Sequence, residues 1–141
     1  MKAIYLFTII LLGLAMSACG FDDEAAEYDS ETCAALAVKV ERREAISQEE
    51  YRDMIGQNEA ILCYLIEKSR EIAEEPSDQR NDSWRNLLAD PDYMERFGYM
   101  FTLGSALYQA DADGKLDAEN KKRYDALDKY NRELAEYSER N

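Results

Sequence analysis

Histidine is absent from all 141 residues, which removes imidazole acid–base catalysis, Ser–His and Cys–His nucleophile pairs and most catalytic zinc sites. Basic residues are scarce: 17 Lys and Arg stand against 30 Asp and Glu, a net charge of −13. That balance argues against nucleic acid, or any other extended phosphate surface, as a partner. No segment shows strand-like alternation, no internal repeat or low-complexity tract is evident, and no CxxC pair suggests a redox or zinc motif. What remains is 46% apolar and 33% charged, enough for one modest globular core.

The first residues read as an export address. Met1 and Lys2 precede thirteen largely apolar positions, Ala3 to Ala15. That run is shorter than the roughly 18 to 20 residues a helix needs to span a bilayer, and no stop-transfer charges follow. Residues 1–18 are therefore expected to be a signal peptide. Met16-Ser17-Ala18-Cys19 resembles the lipobox of bacterial lipoproteins, with Met16 where Leu is usual. The resemblance covers residues 1–19. It implies a diacylglyceryl thioether on Cys19, cleavage before that cysteine, N-acylation, and attachment to a membrane through the lipid. Gly20, where Asp would favour retention at the inner membrane, implies the outer membrane of a Gram-negative bacterium, facing periplasm or cell surface. The run Phe21-Asp22-Asp23-Glu24 resembles acidic surface-export signals of some lipoproteins and equally suits a soluble tether.

Lipidation of Cys19 leaves Cys33 and Cys63 in a chain that reaches an oxidising space, where a disulfide between them is the default expectation. A helix hairpin turning near residues 46–48 would set the two opposite each other. Closing that loop would stabilise the fold by roughly 3 to 4 kcal/mol.

The mature chain keeps 16 basic and 30 acidic side chains, because residues 1–18 carry one Lys and no acid; its net charge is −14. Residues 19–30 comprise the lipidated cysteine and an acidic tether, and residues 31–141 the folded domain. Cys33, Leu36, Ala37 and Val40 share one face of a helix over about 31–45. Ser47-Gln48-Glu49-Glu50 is a capping box that opens a second helix, whose stripe runs from Tyr51 through Met54, Asn58, Ile61, Leu65 and Ser69 to Ala73. Pro76 ends it, and Ser77 to Ser83 contains no apolar residue, so a connection is expected there, with Trp84, Leu87 and Leu88 forming a short apolar turn. Asp90-Pro91 starts a third long helix carrying Tyr93, Met94, Phe97, Met100, Phe101, Gly104, Leu107 and Tyr108 inward. After a turn at Asp111 to Gly114, Asp117 caps a last helix to about 138, with Tyr124, Leu127, Tyr130 or Asn131, Leu134 and Tyr137 facing in. The pattern predicts an all-α fold, a small antiparallel bundle of three to four helices with one disulfide.

Three constellations could carry chemistry. Asp111-Ala112-Asp113-Gly114-Lys115-Leu116-Asp117 resembles the centre of an EF-hand loop, but Gln109 and Asn120 stand where the end ligands belong. A helix terminator at Gly114 followed by an N-cap at Asp117 explains the same residues. The carboxylates Glu49, Glu50, Asp53, Glu71, Glu74 and Glu75 border faces expected to be wet, and no cleft is implied for a glycosidase-like pair. Of nine tyrosines in the mature chain, Tyr64 and Tyr99 lie off the main stripes and are the candidates for a surface contact. No catalytic residue, cofactor or metal ligand is assigned. The expectation is a non-enzymatic, lipid-anchored envelope protein, structural or accessory, working through a protein partner. The alternative is an acidic inhibitor or immunity-type protein directed at a basic envelope hydrolase or toxin.

Overall fold

A computed structural model describes residues 26–140. The signal peptide, Cys19 and the tether up to residue 25 lie outside the described residues, as does the lipid attachment expected there. Among the described residues the chain is helical throughout and forms no strand. The elements are α1 (Ser30–Glu41), α2 (Gln48–Ala73), α3 (Ser77–Leu88), α4 (Pro91–Ala112), α5 (Ala118–Ala126) and α6 (Asp128–Glu139). No helix among them is long and apolar enough to cross a membrane.

Each boundary has a local cause. The Asp29 side chain accepts from the Glu31 amide to open α1, and the Ser47–Glu50 capping box opens α2 with both of its reciprocal bonds formed. Asp90 caps α4 with Pro91 in its first turn, and Asp117 caps α5 through the Asn120 amide. The ends of α1 and α4 are alike. Beyond α1, the Arg43 and Glu44 amides donate back to the carbonyls of Val40 and Lys39; beyond α4, Gly114 and Lys115 donate to Asp111 and Ala110. This double closure needs a left-handed residue after the cap. Gly114 takes it at φ 68°, and Arg43 takes it at φ 55°.

Two sequence expectations are corrected here. Residues 77–83 are not a connection: they begin α3, a helix with no buried residue. Side-chain bonds take the place of an apolar stripe. The Arg80 Nε donates to the Glu75 carbonyl at 2.9 Å, and the Ser83 hydroxyl donates to the Glu75 carboxylate. The last helix is also two segments, tightened at Leu127, whose amide donates three residues back to Tyr124 rather than four.

Helix α2 is the axis on which the other long helices lie. Met54, Ile61, Leu62, Leu65 and Ile66 are fully buried along it, met by Leu103 and Leu107 of α4 and by Leu127. Burying each such side chain contributes about 1.5 to 3 kcal/mol. Tyr64 meets Tyr93, and Asn58 meets Gly104, so α4 runs antiparallel to α2. Gln48 meets Asn120, and Arg70 meets Glu133, so α5 and α6 run parallel to α2. Helix α1 closes the other side, against α2 and α4.

The expected Cys33–Cys63 disulfide is not formed; no bond joins the two thiols. The register of the first hairpin explains why. Lys39 pairs with Glu50 at 2.6 Å, and the buried Cys33 thiol lies 3.4 Å from Gln57 Oε1. Cys63 is six residues farther along α2, roughly 9 Å at 1.5 Å per residue, and on a different face. That separation exceeds the reach of a disulfide.

Candidate functional site

Helices α4 and α5–α6 both pack on α2 and only marginally on each other, so a cleft of about 470 Å³ runs between them. Asn58 of α2 lines it, together with Met100, Phe101, Gly104 and Tyr108 of α4 and Tyr124 and Asn131 of the last two helices. At its turn end, Lys121 ties the helices together, 3.0 Å from Asp111 and 2.7 Å from Asp125.

Asn58 is only 4% exposed, yet its Oδ1 has no hydrogen-bond partner. A buried amide oxygen left so costs about 1 to 3 kcal/mol. Gly104 covers it without filling the space: a Cβ there would stand 3.8 Å from Asn58 Nδ2 and 4.0 Å from Oδ1. On the rim, Phe101 is 58% and Tyr108 69% exposed, contrary to the inward positions that the spacing of α4 predicts. Phe101 ends a run of ring contacts, Tyr64 to Tyr93, Tyr93 to Phe97 and Phe97 to Phe101, that leads from the helix interface to solvent. Burial, and then the nearby charge of Asp111, raise the Tyr124 pKa above the ordinary phenol value, so its hydroxyl stays neutral.

A second cluster holds the start of the domain. The Tyr28 and Ser30 hydroxyls both donate to Glu95 Oε1, at 2.7 and 2.6 Å. Arg96 lies over the rings of Tyr28 and Tyr64, 4.4 and 4.1 Å from their centroids. Gln57 accepts from the Asp29 amide at 2.8 Å and donates to the Glu27 carbonyl at 2.9 Å. Residues 27–30, expected within the tether, are therefore bound to the helices. Beneath them, burial followed by the charges of Asp29 and Glu95 pushes the Cys33 thiol up to about 11, which keeps it protonated and a poor nucleophile.

The other candidates are distributed as follows. Tyr64 is half-buried under Arg96, and Tyr99 is half-buried on α4, so neither is an open contact. Asp117 serves as the α5 cap, Asp111 binds Lys121, and Asp113 accepts from Gln109: three separate partners. Glu50 belongs to the capping box and Lys39, Glu75 to Ser83, while Glu49, Asp53, Glu71 and Glu74 are exposed. Among the described residues no three potential ligands converge on a metal position. Sequence reasoning counted Asn58 merely as a member of the α2 stripe. The usable signal was an amide inside an otherwise apolar stripe, with glycine on the facing helix. Family models, curated proteins and solved structures give no match to this chain.

Proposed function

We propose that this chain is a non-enzymatic protein-docking domain of a Gram-negative envelope, anchored by lipid on Cys19, with the α4/α5–α6 cleft as its docking surface. The observation that carries the docking reading is the pair of exposed rings, Phe101 and Tyr108, on the rim of a cleft floored by the buried Asn58. Apolar rings at the surface favour association because they offer rigid area with little entropy to lose. The anchor is supported by Met16-Ser17-Ala18-Cys19, and the envelope location by the same signal with Gly20. A lipid pair on Cys19 makes membrane attachment effectively permanent.

Fractionation and crosslinking of the full chain in its own envelope test both parts. The expected result is membrane attachment lost in Cys19→Ala, and one crosslinked protein partner lost in Phe101→Ala/Tyr108→Ala with attachment unchanged. Attachment that survives Cys19→Ala at the same processed size overturns the anchor. A partner retained by the double variant overturns the docking surface.

A further inference from the structure

Resting on that docking reading, we infer that the cleft is built to take an arginine side chain presented by a basic protein partner. The polar groups facing the cleft set the first requirement. Asn58 Oδ1 is a buried acceptor lacking a donor. Of the other two amides that line the cleft, Asn131 Nδ2 donates to the Leu127 carbonyl at 3.3 Å, and Gln109 Nε2 to the exposed Asp113 at 3.0 Å. Asn58 Oδ1 is thus the lining atom that calls for a donor from the occupant. A guanidinium offers five N–H donors and no acceptor.

Charge sets the second requirement. No Lys or Arg lines the cleft, and the whole chain carries −13. An anionic occupant would meet the Asn58 acceptor inside and the chain's net negative charge around it, whereas a cation is drawn in. Shape sets the third. Phe101 and Tyr108 on the rim offer aromatic faces, against which a flat, weakly hydrated guanidinium stacks better than a compact ammonium. Gly104 is the opening: with no Cβ, it leaves the approach to the Asn58 amide unfilled.

The test is an NMR titration of the full chain in detergent with the peptide acetyl-Gly-Arg-Arg-Gly-amide, its Lys and citrulline counterparts, and a neutral β-1,4-linked N-acetylglucosamine disaccharide. The inference expects saturable shifts at Asn58, Gly104 and Tyr108 with the Arg peptide. Its affinity should exceed that of either counterpart at least fivefold and weaken at 0.5 M salt. Gly104→Leu, which fills the opening, and Asn58→Leu, which removes the acceptor while keeping an apolar-compatible shape, should each weaken binding at least tenfold with the helical spectrum retained. Equal affinity for Arg and Lys peptides, or indifference to both variants, overturns the inference in favour of general charge attraction. Saturation by the disaccharide without the Arg peptide overturns it in favour of a glycan. Crosslinking the native partner to Gly104→Leu separates the two levels. A partner lost in that variant when the Arg peptide does not bind even the unsubstituted chain removes the arginine and keeps the docking surface; a partner retained removes the surface itself.

Discussion

Glu59 illustrates how a single side chain departs from its pattern. It sits half-buried on α2, and desolvation raises its pKa above the ordinary carboxylate value, with Lys129, Arg123 and a hydrogen bond from Tyr130 opposing that rise. Because the folded value lies above the unfolded one, its contribution is fully present below the unfolded pKa and lost as pH rises through the folded pKa. Ionised Glu59 therefore weighs against the fold at neutral pH. Glu59→Gln is expected to raise the urea midpoint at pH 7 and to leave it nearly unchanged near pH 4; equal shifts at both values would refute this assignment. Asn58, its neighbour, shows the complementary case, a buried amide on the cleft whose oxygen has no internal partner.

The helix terminators are decided at the level of the element. The same double closure ends α1 with Arg43 and α4 with Gly114, and only the second uses the residue that tolerates a positive φ without strain. A side chain in that conformation costs roughly 1 to 2 kcal/mol, partly offset by the smaller entropy an arginine backbone loses on folding. Arg43→Gly should stabilise the protein by about 0.5 to 1 kcal/mol in chemical denaturation, with the m-value unchanged. The starts of the helices were legible in the sequence: Ser47, Asp90 and Asp117 all cap as their spacing predicts. Helix α3 was not legible, because its bonds to Glu75 come from side chains rather than from a periodic apolar face.

At the scale of the molecule, the register of α1 on α2 sets Cys33 against Gln57 and beyond reach of Cys63. The Cys19→Ala chain, purified in air without reductant and opened in guanidinium, should titrate two thiols. In the folded state Cys33 should react far more slowly with iodoacetamide than Cys63, since it is fully buried and its thiol is pushed up to about 11. A chain with no titratable thiol would show that the hairpin register shifts on oxidation.

By itself the sequence determined the helical class, the long helices α2 and α4, and the caps at Ser47, Asp90 and Asp117, because periodicity and capping chemistry are local. The exposure of Phe101 and Tyr108, the orphaned oxygen of Asn58 beneath Gly104, and the separation of Cys33 from Cys63 were decided only by the tertiary structure. An apolar stripe says that a face is covered; the angular position and register of the neighbouring helices say which residues of that face are covered.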